Sequence, residues 1–303
     1  METAQQQEKK IEAILVNGAC EENAEDWDLV IEPKKGLFAL NLAEVWQYRD
    51  LLLLFVKRDF TAQYKQTVLG PVWHFVQPVF TTAVFLLLFG AMANFPTDGI
   101  QPVLFYLSGI TIWNYFSASL LATSNTFITN AGIFGKVYFP RLVMPLSMVA
   151  SNMVKFGIQF LLLLGAMICF WLNGQGFHVG WSWLLVPLLV VIMAGFGLGL
   201  GIIISSLTTK YRDFNVLIGF AVQLLMYTTP IAYPLSFLKS KSYASWIAWN
   251  PLSPVVEGFR FAVFGAGDFQ MASLFYSTTC MLILLFTGIL LFNRVEKTFM
   301  DTV

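Results

Sequence analysis

Charge is scarce in this sequence: 12% of its residues are charged against 57% hydrophobic, where a soluble domain carries roughly 25% charged residues. Water is therefore not its main solvent. The formal net charge is zero, so neither a nucleic-acid footprint nor a polyacidic character marks the whole chain, and no nucleic-acid partner is expected. Cysteine is scarce as well. Cys20, Cys169 and Cys280 lie far apart, in neither a paired metal spacing nor a disulfide framework. Of the histidines there are two, His74 and His178. The topology derived below puts them near opposite faces of an apolar layer roughly 30 Å thick, too far apart to share a site. No metal site is expected.

Groups that bind nucleotides or move ions are also missing. The nearest approach to a phosphate-binding loop, Gly132-Ile133-Phe134-Gly135-Lys136-Val137, lacks both the length and the Ser or Thr after Lys. The chain is therefore expected to hold no cofactor of its own. Its long apolar runs contain no Asp or Glu, and their single charge is Lys155, near a helix end from which its ammonium can snorkel to the interface. An ion-driven transporter needs intramembrane groups that bind the coupling ion. A polytopic chain without an ATP site or an ion relay must draw energy from a partner, or else be a passive channel.

What is there is apolar length. Six stretches, at 72–95, 102–125, 145–172, 183–207, 214–233 and 271–292, are each long enough to cross, since a helical span needs about 20 residues. Turn-forming stretches separate them, such as Asn94-Phe95-Pro96-Thr97-Asp98-Gly99 and Asn173-Gly174-Gln175-Gly176. The fold expected is all-α and polytopic. Ahead of the spans, Leu51-Leu52-Leu53-Leu54-Phe55-Val56 is too short to cross and is flanked by Arg49, Asp50, Lys57, Arg58, Asp59 and Lys65. That pattern predicts an amphipathic helix lying in the interface. Residues 1–40, with Glu21, Glu22, Glu25, Asp26, Asp28 and Glu32, read as an acidic, solvating N-terminal extension unlike an export signal. The organisation expected is the extension at 1–40, the interfacial helix at 41–70, a permease domain at 71–293 and a tail at 294–303.

Lys and Arg set the orientation. Lys136, Arg141, Lys210, Arg212, Arg294 and Lys297 fall on the side of the interfacial helix, whereas the opposite connections hold only Lys239, Lys241 and Arg260. By the positive-inside rule both termini face the cytoplasm. The last outer connection, 235–270, keeps Phe237, Tyr243, Trp246, Trp249, Phe259, Phe261 and Phe264, with Pro251 and Pro254 interrupting it. It reads as short re-entrant helices, tolerated where protein or a cavity satisfies the backbone. The other reading is an interfacial aromatic anchor.

Candidate conduit residues lie in the second and fifth spans. Thr111, Asn114, Ser117 and Asn125 recur at helical spacing among Tyr106, Trp113, Tyr115 and Phe116, and the fifth span carries Gln223, Tyr227, Thr228, Thr229 and Tyr233 with Pro230 and Pro234. Hydroxyls, amides and rings together suit sugars. Hydrogen bonding between helices accounts for the same residues. In the fourth span Gly195, Gly197, Gly199 and Gly201 allow close helix approach.

The stretch Trp46-Gln47-Tyr48-Arg49-Asp50-Leu51, then Lys57-Arg58-Asp59-Phe60, then Gln63-Tyr64-Lys65-Gln66-Thr67-Val68-Leu69-Gly70-Pro71-Val72-Trp73 and Gln77-Pro78, resembles the opening of ABC type 2 permeases that export lipid-linked O-antigen, capsule or teichoic acid. Asn130-Ala131-Gly132-Ile133-Phe134-Gly135-Lys136-Val137-Tyr138-Phe139-Pro140-Arg141, Tyr211-Arg212-Asp213 and Asn250-Pro251-Leu252 extend the resemblance from about residue 40 to the C-terminus. The resemblance implies an inner-membrane homodimer docked on two copies of a separate ATPase that binds ATP and Mg. It also implies that 44–66 is a gate helix and that Phe134, Lys136, Tyr138, Phe139 and Arg141 form a coupling loop seated in the ATPase. Its substrate would be a glycan on a lipid diphosphate, threaded along aromatics. Arg49, Arg58, Tyr64 and Lys65 would stand at the entrance, and Trp73, Tyr106, Trp113, Asn114, Phe116, Tyr227 and Tyr233 would line the channel. No catalytic residue is expected. The competing readings are a membrane-embedded transferase acting on lipid-linked sugars, and a drug- or lipid-exporting permease of the same fold.

Overall fold

The computed structural model describes residues 42–65, 67, 70–134, 139–174, 180–208, 211, 213–238, 247, 249–267 and 269–299. The acidic extension lies outside them, as do Lys136, Tyr138, His178, Lys210, Arg212, Lys239 and Lys241. Among the described residues the regular structure is entirely helical. Two helices open it, α1 (Leu42–Gln47) and α2 (Arg49–Tyr64), divided where Tyr48 leaves helical geometry. Helix α3 (Trp73–Phe85) passes into a wider turn at Leu86–Met92. There follow α4 (Pro102–Ser124), α5 (Thr126–Phe134), α6 (Val143–Leu172), α7 (Leu185–Thr208), α8 (Phe214–Thr228), the single turn α9 (Leu235–Leu238), α10 (Ser253–Phe264) and α11 (Met271–Phe299).

Among the described residues four helical runs, Gly70–Met92, Val143–Leu172, Trp181–Thr208 and Met271–Arg294, are long and apolar enough to cross a membrane. Helix α4 has 23 residues and extends about 34 Å, a crossing length. Its polar residues make it less hydrophobic than the other four, for a reason the packing supplies. It touches α3, α6, α7, α8 and α10 and is buried along most of its length, so protein rather than lipid is its solvent. A helix surrounded by protein keeps polar side chains if they are hydrogen-bonded. Thr111 donates to the Leu107 carbonyl at 2.8 Å, Ser108 to that of Phe105 at 3.0 Å, and Asn114 Nδ2 to Gln159 Oε1 on α6 at 3.2 Å.

Glycines bring α7 onto two neighbours at once. A Cβ on Gly199 would stand 3.0 Å from the Leu285 backbone nitrogen of α11, whereas one on Gly201 would meet Thr123 Cβ of α4 at 2.5 Å. The expected close approach is present on two faces of one helix. The fifth stretch departs from expectation. Its helix, α8, stops at Thr228 after 15 residues, about 22 Å, and 229–234 continues as turns. Two prolines explain the stop, because Pro230 and Pro234 donate no backbone N–H and disfavour helix in the residues before them.

After this break comes α10, 12 residues long and about 18 Å, too short to cross. Ten of its residues, from Ser253 to Val263, are buried, and it packs against α4, α7 and α11. This is the short helix enclosed by protein that the aromatic outer connection implied. The last helix continues past the expected start of the tail, to Phe299.

Candidate functional site

Helix α2 lies against α6, and Phe55 is its buried anchor. The Phe55 ring packs on Phe139 with centroids 5.7 Å apart, Phe139 stacks on Phe134 at 5.8 Å, Phe134 meets Phe127 at 5.7 Å, and Phe127 stacks on Phe292 of α11 at 4.9 Å. These rings form one cluster with Val143, Met144 and Ile202. The residues expected to couple to an ATPase and the helix expected to gate the entrance thus share a core. Phe134 and Phe139 turn into that core, both nearly fully buried, and are not projecting rings. Arg141 lies over the Phe134 ring at 5.8 Å.

The expected entrance residues divide by environment. Arg49 is exposed, over Trp46 at 5.8 Å and 3.9 Å from Asp50. Lys65 is exposed where α2 ends. Arg58 is held on several sides: Nη2 lies 2.7 Å from Asp59 Oδ1 and 3.5 Å from Asn130 Oδ1, and the guanidinium sits 4.9 Å above the Phe55 ring. Tyr64 is wedged edge-on between Phe60 at 4.5 Å and His74 at 5.6 Å. Burial pushes its phenol above the ordinary tyrosine value. Lys155 is half-buried on α6, interacting electrostatically with both Asp59 and His74. The bundle thus brings His74, given no role by the sequence, into the neighbourhood of the entrance residues.

The expected channel residues separate in the same way. Tyr106, Trp113 and Phe116 are buried in the core of α4 and its neighbours, and Asn114 is occupied by Gln159. Trp73 and Tyr227 are about half exposed. Tyr233 donates to the Tyr227 carbonyl at 2.9 Å, which folds the end of α8 back on itself. Of the expected channel residues, the exposed rings are therefore those of Trp73 on α3 and Tyr227 on α8, with α4 behind as scaffold.

A second polar cluster, which sequence reasoning missed, lies at the far end of α4. Arg260 of α10 has no exposure. Its Nη1 donates to the Pro230 carbonyl at 2.7 Å and to Glu257 Oε1 at 3.3 Å, and its Nη2 donates to the Ile231 carbonyl at 2.8 Å. The guanidinium lies 3.7 Å from the centroid of the Phe105 ring. A charge this deep is tolerable only if paired and hydrogen-bonded. The i,i+3 spacing of Glu257 and Arg260 on a helix was the signal available; an outer-loop reading of that segment hides it.

Among the described residues, no group of three or more His, Cys, Asp or Glu is placed to hold a metal ion. Residues 50–264 match the model of a family described as the ABC-2 type transporter. The chain is 28% identical over 255 residues to the O-antigen export system permease protein RfbA of Klebsiella pneumoniae, covering 83% of this chain and 94% of that protein. It is 29% identical over 225 residues to the protein of the same name from Myxococcus xanthus, covering 72% and 81%. The polysialic acid transport protein KpsM of Escherichia coli is 24% identical over 241 residues, covering 79% and 91%.

Proposed function

We infer, from the premise that this chain belongs to the ABC-2 type transporter family, that it is the membrane permease of an exporter for a lipid-linked polysaccharide, most specifically an O-antigen. The observation that carries this reading is the likeness to O-antigen export permeases along nearly their whole length. The transported species is a glycan on a lipid diphosphate. Two copies of the chain form the conduit, and two copies of a separate ATPase supply ATP and Mg chemistry. Both termini and α2 face the cytoplasm, consistent with the Lys and Arg bias.

The aromatic cluster supports a route for the energy. The loop 134–141 seats on the ATPase, and its displacement moves Phe134 and Phe139. Close-packed rings transmit a displacement because the interior has little free volume to absorb it. Phe55 therefore moves with Phe139, and α2 with Phe55, which opens the entrance beside Arg49, Tyr64 and Lys65. Arg49 and Lys65, being exposed, attract the diphosphate. Arg58, held by Asp59 and Asn130, ties α2 to α5, the helix that leads into the loop. Exposed Trp73 and Tyr227 offer ring faces to passing sugars.

The test is to delete the gene, complement with the wild-type chain, and measure surface polysaccharide while purifying the tagged chain from the same cells. Restored polysaccharide and a co-purifying ATPase are expected. A deletion strain with unchanged surface glycan, or a chain that brings down no ATPase, overturns the reading.

A further inference from the structure

The broken segment after α8 is tied down by side chains from three directions. Arg260 holds the Pro230 and Ile231 carbonyls. Glu257 Oε1, besides facing Arg260, accepts the Leu235 N–H at 3.1 Å. Asn250 Nδ2 reaches the Thr228 carbonyl at 3.3 Å and Thr229 Oγ1 at 3.0 Å. Asp98, from the loop before α4, accepts from Ser236 Oγ at 2.7 Å and 2.9 Å. Side chains thus satisfy the carbonyls of Thr228, Pro230 and Ile231 and the N–H of Leu235, the kind of support on which a non-helical segment survives inside an apolar bundle.

The space for this arrangement is provided for. A Cβ on Gly109 would stand 2.7 Å from Arg260 Nη2 and 3.2 Å from Ile231 Cγ2. Glycine at that point of α4 therefore admits the guanidinium between the helix and the break. Tyr227 and Tyr233 flank the segment and are joined through the Tyr227 carbonyl. Whatever fixes 229–234 also fixes the place of Tyr233, whose hydroxyl reaches back to the last turn of α8.

We propose that Arg260, with Glu257, is a positioning residue for translocation: it holds the break after α8 in one shape and so sets the Tyr233 ring, beside the end of α8, at the conduit end remote from α2. Its carbonyl contacts are the essential ones. Charge neutrality inside α10 alone would need no tie to Pro230 and Ile231. Arg serves because its planar fork reaches two carbonyls and a carboxylate at once. The proposal rests on the permease reading for its transport readout alone.

The experiment is a double-mutant cycle with an exchange measurement beside it. Arg260→Gln and Tyr233→Ala each lower surface glycan by about tenfold, and the double variant lowers it by about the same factor, because two steps on one path do not multiply. Arg260→Lys, which keeps a cationic donor but loses the planar fork, recovers only part of the export lost in Arg260→Gln. The swap Glu257→Arg with Arg260→Glu, which keeps the charges but cannot donate to the carbonyls from position 260, recovers none. In purified full-length protein, hydrogen exchange across 228–236 speeds up about tenfold in Arg260→Gln, as expected for loss of hydrogen bonds from a charged donor. Exchange in α7 stays unchanged. If Arg260→Gln does not accumulate in the membrane, Gly109→Ala takes its place, since it displaces the guanidinium without removing the charge. Multiplying losses, rescue by the swapped pair, or wild-type exchange at 228–236 overturns the proposal. A wild-type chain that exports no glycan while the exchange still responds to Arg260 sinks the permease reading and leaves the positioning role standing.

Discussion

The Phe139 ring packs on both Phe55 of α2 and Phe134, and its substitution separates packing from transmission. Phe139 is 4% exposed, so Phe139→Ala is expected to destabilise the fold by about 3–5 kcal/mol and to weaken export. Phe139→Leu keeps most of the apolar volume and loses less stability, while the ring contacts to Phe55 and Phe134 are gone. Export in Phe139→Leu that falls much more than its thermal stability, with both measured on the same membranes, is the expected result; parallel losses mean that the ring only fills space. The basic residues of α2 give a second contrast. Arg49→Gln and Lys65→Gln remove exposed charges, which contribute little to stability, so they are expected to reduce export while leaving the amount and melting of the protein unchanged. Arg58→Gln breaks the contacts to Asp59 and Asn130 and is expected to lower both. Lowered melting in Arg49→Gln would contradict the division of roles.

Between elements, the separation of α7 from α11 is the clearest structural constraint. Gly199→Ala puts a methyl about 3 Å from the α11 backbone, and forcing the helices apart is expected to cost about 1–3 kcal/mol. Gly219→Ala on α8 has nothing within 4 Å of its new Cβ and is expected to be neutral or slightly stabilising, since alanine is the better helix former by about 1 kcal/mol. Thermal unfolding of the two variants in the same detergent checks this. The glycine run was legible as packing before the fold was known, because small residues four apart have few other uses in an apolar helix. That it serves two faces, with Gly199 on α11 and Gly201 on α4, was not. Residues two apart on a helix point about 200° away from each other, and only the neighbours decide whether both directions are occupied.

At the scale of the molecule, the expected assembly is two permease chains with two ATPase copies, and the mass of the purified complex in a native mass spectrum checks that stoichiometry. A complex with one chain of each kind contradicts it. Hydropathy alone determined that this is a polytopic helical membrane protein, because removing apolar runs of this length from water dominates every local preference. The motifs around Arg49, Lys57 and Gly70 and the stretch from Asn130 to Arg141 likewise carried the family resemblance without coordinates. Tertiary structure decided which polar and aromatic residues are already in use. Tyr106, Trp113 and Phe116 share a helix with exposed-looking neighbours in the sequence, but α4 lies at the centre of the bundle. Phe134 and Phe139 look like projecting knobs until Phe55 and Phe127 are placed against them. Arg260, an outer-loop cation by its position in the chain, became the most deeply held charge in the described structure because α10 folds back against α4. Burial of a side chain depends on which distant segments pack over it, and a local pattern of residues carries no record of those segments.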